Sequence, residues 1–173
     1  MRITRTEYLN KLIAFKDKQL IKVVTGIRRC GKSVLMEMYQ DWLLQNGVEQ
    51  DQIIAINFED MDFEELTDYK KLYAYLKDRL VPEKMTYIFL DEIQECPNAR
   101  CAIKFLVEDG RFDYIESGSL LGVRYKEVPS YAVGFEEIVY MYPMNFKEYL
   151  TANGVQESTL KTLQTCYEKH EAV

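Results

Sequence analysis

The eight residues Gly26-Ile27-Arg28-Arg29-Cys30-Gly31-Lys32-Ser33 constrain this chain more than any other segment. They fit the pattern G-x-x-x-x-G-K-[ST], which requires a strand before it and a helix after it. Both are predicted here. Leu20 to Thr25 reads as a short apolar strand, and Leu35, Met38, Trp42 and Leu43 share one face of a helix over 33–46, with Gly47 suited to its C-cap. Such a loop turns backbone N–H groups inward around a triphosphate while the helix N-terminus adds its positive dipole end. Lys32 is placed to reach the β and γ phosphates, and the Ser33 hydroxyl to ligate Mg²⁺. Gly26, Arg29, Cys30, Gly31 and Val34 complete the candidate nucleotide-contacting set. For Arg28 and Arg29, phosphate contact and a solvent-facing side chain both remain open. Cys30 reads as a small loop filler more simply than as a redox thiol.

The rest of the chain continues the alternation of strand and helix. Thr4 and Glu7 suggest a capping box for a first helix running to about Lys16. Residues 52–58 form a near-continuous apolar run of the kind buried on both faces of a sheet. It ends in the acidic stretch 59–65, which reads as a solvated loop and helix start. Tyr69, Leu72, Tyr73, Leu76 and Leu80 mark a helix closed by Pro82. Strands follow at 85–90, 112–116 and 137–142, with a helix over 99–108 between the first two. Asn145 and Glu148 look like the cap of a short helix, Gly154 breaks it, and a last helix follows. Five strands separated by helices predict an α/β three-layer sandwich around a mostly parallel sheet.

Tyr87-Ile88-Phe89-Leu90-Asp91-Glu92 places two carboxylates at the end of a buried strand, on the rim where α/β sheets bind ligands. Asp91 can hold the Mg²⁺ shell, and Glu92 can orient and polarise an attacking water. Residues 33–90 leave room for a helix, a strand and another helix, so a strand can lie between the loop strand and the acidic strand. That arrangement resembles the additional-strand catalytic-glutamate class of P-loop NTPases, which places a polar sensor at the end of the fourth strand. Ser117 is favoured for that role over Ser119, with a plain turn as the alternative. Arg124 is a candidate finger in trans or a solvated surface residue.

The 173 residues carry 22 basic and 28 acidic side chains, a net charge of −6 that disfavours a broad nucleic-acid footprint. No run approaches a membrane span and no secretion signal opens the chain, so a cytoplasmic protein is expected. The four cysteines and one histidine lack zinc-site spacing and read as reduced thiols and a lone imidazole. A GTPase would need N-K-x-D and an ABC ATPase L-S-G-G-Q; neither is present. A small-molecule kinase would need an arginine-rich lid, and no such cluster follows Glu92.

The segments 20–33, 56–60, 89–94, 117–123 and 141–149 together resemble a prokaryotic AAA-type ATP-binding family within the AAA+ superfamily. The resemblance covers Tyr8 to Leu150. It implies ATP and Mg²⁺ as ligands and slow, partner-regulated hydrolysis with Lys32, Glu92 and Ser117 as catalytic residues. It also implies a C-terminal domain of uncharacterised function after the ATPase core. The expectation is therefore a core over 1–152, with an N-terminal helix over 1–18. A helical extension over 153–173 would open a C-terminal region that this chain lacks, and its partner would be that region, an unknown protein or another subunit. Gly134-Phe135 departs from the family's Gly-Arg or Gly-Lys, so a basic sensor is not carried over. A non-catalytic ATP-binding module is the alternative reading.

Overall fold

The computed structural model describes residues 3–96, 98–118 and 136–170. The expectations for Ser119, Arg124 and Gly134-Phe135 lie outside the described residues. The elements run α1 (Thr6–Ala14), β1 (Ile21–Gly26), α2 (Lys32–Gln45), β2 (Ile53–Asn57), α3 (Tyr69–Asp78), β3 (Thr86–Asp91), α4 (Ala99–Asp109), β4 (Phe112–Gly118), β5 (Glu136–Met141), α5 (Phe146–Ala152) and α6 (Glu157–Lys169). The strands form one sheet in the order β2-β3-β4-β1-β5. All four pairings are parallel. The sheet is thus wholly rather than mostly parallel, and β4 is the strand inserted between β1 and the acidic strand β3.

Alternation along the strands divides the core into two layers. Ile21 and Val23 of β1, Ile88 and Leu90 of β3, and Phe112 and Tyr114 of β4 pack under α3 and α4. In α4 the buried residues Ala99, Ala102, Ile103 and Leu106 recur at helical spacing toward the sheet. Val24, Tyr87, Phe89 and Ile115 face the other way, against Leu12 of α1 and Leu35, Met36, Tyr39 and Leu43 of α2. Gly47 stands just past α2 at φ 89°, and Val48 N–H closes back on the Leu43 carbonyl at 3.1 Å, ending the helix as predicted.

Two local expectations are corrected. The Thr4–Glu7 capping box does not form: the helix starts at Thr6 with Arg5 at its N-cap and no side-chain cap bond. The Arg5 side chain is instead buried and committed elsewhere. The run over 52–58 is not buried on both faces. β2 is an edge strand, Ile54 and Ile56 enter the core, and Ala55 and Asn57 are exposed on the opposite face. By contrast, the Asn145–Glu148 box on α5 is present in both directions at 2.8 Å.

One feature of β1 was hidden in an apolar-looking segment. Lys22 is fully buried and ion-paired to the equally buried Asp113 of β4. Asp113 also accepts from Asp17 N–H at 2.7 Å, and Asp17 accepts from the Tyr87 hydroxyl at 2.6 Å. Burial pushes the Lys22 pKa down and the Asp113 pKa up, each opposed by the other's charge. Asp113→Asn removes the counter-charge and is expected to cost about 3–5 kcal/mol at pH 7 by chemical denaturation. Adding Lys22→Met should recover most of that loss. The lysine then alone sets the pH dependence of the single variant. A depressed amine pKa contributes stability that is present above the unfolded value near 10.4 and lost as pH falls through the folded value. The deficit of Asp113→Asn should therefore shrink between pH 7 and pH 10. A deficit independent of pH would contradict this assignment.

Candidate nucleotide site

The site lies at the carboxyl ends of β1, β3 and β4. Gly26 ends β1 in register with Met141 of β5, and the two backbones nearly touch. A Cβ on Gly26 would stand 2.2 Å from the Met141 carbonyl oxygen and 2.8 Å from Cys30 Sγ. Only glycine fits there. Arg29 and Gly31 turn the loop with φ of 66° and 95°, and Gly31 is the N-cap of α2. Glycine supplies no capping side chain, so the first-turn amides of α2 face the loop interior without a local competitor from the cap. Cys30 is buried against Gly26, matching its reading as a filler.

Lys32 is 3% exposed, with its Nζ 3.4 Å from the Ile27 carbonyl and 3.9 Å from Glu92 Oε1. Its charge thus points back across the loop. Ser33 and Val34 are exposed at the start of α2. Arg28 extends toward solvent and reaches Glu59 at 3.8 Å, and Arg29 is also exposed.

Strand parity explains the acids. Asp91 follows Phe89 by two residues, and Ser117 follows Ile115 by two, so both fall on the α2 face of the sheet. The pairing Leu90↔Glu116 sets them side by side. The buried Ser117 hydroxyl donates to Asp91 Oδ1. Asp91 Oδ1 also accepts from Glu92 N–H at 3.1 Å. Glu92 takes φ 52°, a left-handed conformation uncommon for a side chain of this size, which turns it out of the strand and toward Lys32. Its second oxygen accepts from Gln94 Nε2 at 2.5 Å.

The structure therefore brings together Lys32, Ser33, Asp91, Glu92 and Ser117, all named from sequence. Ser117 has a nearer partner than a sensor role alone requires, because its hydroxyl is given to Asp91. A narrow cleft of about 240 Å³ beside them is lined by Ser33, Glu37, Asn57, Phe63 and Asp91 among others. Asn57, in register with Asp91, was not singled out from sequence; its place at the end of a strand next to the acidic strand was the available signal.

The residues fit a magnesium nucleotide. The glycine cradle excludes a Cβ at Gly26, a buried ammonium reaches across the loop, and a hydroxyl and a carboxylate of the donor types Mg²⁺ takes stand at Ser33 and Asp91.

The fold and this loop define a P-loop nucleotide-binding domain. A family model described as "AAA domain" matches residues 18–150, and the chain belongs to that family. It is 32% identical to an uncharacterized protein of Haemophilus influenzae over 97% of this chain and 43% of that one. It is 31% identical to an uncharacterized protein of Methanocaldococcus jannaschii over 75% of this chain and 28% of the relative. The chain thus spans less than half the length of these relatives. Two solved structures share the fold, each with a TM-score of 0.56. A chain of Drosophila ORC bound to DNA is 11% identical over 82% of this chain and 93% of its own. C. elegans PCH-2 is 13% identical over 92% of this chain and 49% of its own. Among the described residues, no helix is long and apolar enough to cross a membrane.

The backbone contact at Gly26 makes a separable prediction. Gly26→Ala must push against a carbonyl and is expected to cost about 3 kcal/mol in urea unfolding. Gly31→Ala meets only an ordinary contact with the Met141 methyl at 3.5 Å and a left-handed φ, for about 1 kcal/mol. Equal costs would show that the β1–β5 approach does not constrain the loop.

Proposed function

We propose that this domain binds ATP with Mg²⁺ at the loop and hydrolyses it slowly, acting as a nucleotide-driven switch for an attached domain or partner. The observation that carries the reading is the meeting of Lys32 with Glu92 across the loop, 3.9 Å apart and both largely buried. A cation for the phosphates and an acceptor for a water proton then stand within one small site. Lys32 would hold the β and γ phosphate oxygens, assisted by the amides of 31–34. Ser33 and Asp91 would hold Mg²⁺, which would neutralise phosphate charge when bound. Ser117 fixes the carboxylate of Asp91 through its hydroxyl, so that Asp91 presents its other oxygen. Glu92, with one oxygen engaged by Gln94, would accept the proton of the attacking water through the oxygen near Lys32.

Residues 1–152 form the ATPase core and 153–173 a helical extension leading toward a C-terminal region. The net charge of −6 favours a protein partner over nucleic acid, and another subunit would suit a trans-acting arginine. Four free cysteines suit a reducing cytoplasm. Without a trans-acting arginine, turnover falls by a factor on the order of 10³ to 10⁵ in related chemistry, so slow release of phosphate is expected.

MgATP at 100 times its Kd should stabilise the wild-type chain by about 2.7 kcal/mol, or roughly 5–10 °C in Tm. Lys32→Ala should abolish that shift. Glu92→Gln should keep the shift and lose phosphate release, measured by a coupled phosphate assay. Phosphate release unchanged in Glu92→Gln would remove the glutamate from catalysis and, with the MgATP shift retained, favour a non-catalytic ATP-binding module whose preparation carries a contaminating activity.

A further inference from the structure

Arg5 is a buried side chain beside the phosphate loop that the chemistry above leaves unused. It is 7% exposed, and its guanidinium stacks 4.5 Å from the Tyr8 ring centre. Nε and Nη2 grip both oxygens of Glu148 at 2.9 and 3.0 Å. Nη1 donates to the Cys30 carbonyl at 3.0 Å and to the Tyr142 carbonyl at 2.7 Å, while Nη2 lies 3.5 Å from the Pro143 carbonyl. One side chain therefore ties together the phosphate loop, the segment leaving β5, and the cap of α5.

The contact with Cys30 acts on the loop directly. The Cys30 carbonyl and the Gly31 N–H belong to one peptide unit, and in a trans peptide they point in opposite directions. Holding the carbonyl from behind fixes the plane of that peptide and aims the Gly31 N–H away from Arg5, toward the loop interior. Donation from a cation to the carbonyl also polarises the amide and makes its N–H a stronger donor. The carboxylate of Glu148 in turn fixes the guanidinium, and its Oε2 simultaneously accepts from Asn145 N–H at the start of α5.

We infer that Arg5 is a positioning residue for the phosphate loop, pre-aiming the Gly31 amide at the nucleotide phosphates and linking loop occupancy to the order of α5 through Glu148. The inference rests on nucleotide binding at residues 26–33. Linkage is reciprocal: a nucleotide that tightens the Gly31 peptide tightens α5, and whatever orders α5 favours nucleotide.

The test is the Kd of a fluorescent ATP analogue with Mg²⁺, and amide hydrogen exchange over 145–152, on the 173-residue chain. Arg5→Lys keeps the charge but lacks the fork that spans Glu148 and the two carbonyls. It is expected to weaken binding about tenfold. Glu148→Gln keeps the α5 cap, because the amide oxygen still accepts from Asn145, but loses the ion pair; a weakening of about threefold is expected. In the wild type, saturating MgATP should slow exchange over 145–152, and in Arg5→Lys saturated with the same ligand it should not. A merely structural arginine would lower apo stability while leaving Kd and the exchange response intact. Kd within twofold of wild type in the folded variants, with α5 still responding, would overturn the inference and leave nucleotide binding standing. Should Arg5→Lys not fold, Glu148→Gln carries the same decision. No MgATP binding by the wild type would overturn both readings.

Discussion

The parallel register of β3, β4 and β1 is the constraint on which the site depends. Each strand alternates its side chains between the two faces, so a slip of one residue would send Ser117 to the α4 side and bring Glu116 beside Asp91. In the observed register Val24 pairs with Ser117 and Leu90 with Glu116, which aligns the carboxyl ends of all three strands. Ser117 and Asp91 meet there, on the face where α2 begins, and the loop closes over them. The near-contact of Gly26 with Met141 extends the same alignment to β5, so the start of the loop is held by backbone, while the Arg5 side chain holds its Cys30 carbonyl.

Among the described residues, three buried cations are held by carboxylates, whereas the buried Asp91 is held by the Ser117 hydroxyl. At the amino end of the sheet Lys22 and Asp113 neutralise each other inside the α1–α2 layer. On the opposite face Arg100 of α4 reaches the fully buried Glu116 and lies 3.5 Å from Glu136 of β5. Burial raises the Glu116 pKa against the pull of Arg100. Arg5 and Glu148 form a third pair beside the phosphate loop. The Lys22–Asp113 and Arg5–Glu148 pairs join elements that lie far apart in sequence, and removing one member of any of the three would strand a charge in a poorly solvated place. Such pairs specify which elements meet more than they add stability. Lys32 and Glu92 differ: their 3.9 Å separation is long for an ion pair, as suits two groups whose proposed partners are a phosphate and a water.

Much of this was legible in the sequence because its signals are local. The loop pattern lies between a strand and a helix, Asp91 and Glu92 follow four apolar residues, and the Asn145–Glu148 box spans three positions. Each can be read within a window of about ten residues. The parts that were missed depend on distant partners. Arg5 reaches carbonyls and a carboxylate 25 to 143 residues away, and backbone acceptors leave no trace in side-chain identity. Its burial also explains why the Thr4–Glu7 box was misleading: Arg5 turns inward to the loop, and the helix starts at Thr6. Lys22 was invisible for a related reason, since a lysine in an apolar run looks like a solvent-facing interruption until Asp113 is placed opposite it. The edge position of β2 could not be read from composition either. Ile, Ile, Ala and Ile suit a central or an edge strand, and the sheet order decides which.

The central claim is that residues 26–33 enclose the phosphates of a nucleotide while Asp91 and Glu92 serve metal and water beside them. A crystal structure of the chain grown with Mg²⁺ and a non-hydrolysable ATP analogue tests it most directly. We expect phosphate oxygens within hydrogen-bond distance of the loop amides and Lys32 Nζ, with Mg²⁺ held by Ser33 and the Asp91 shell. A ligand bound elsewhere with the loop unchanged, or Lys32 still directed at the Ile27 carbonyl under saturating nucleotide, would contradict it.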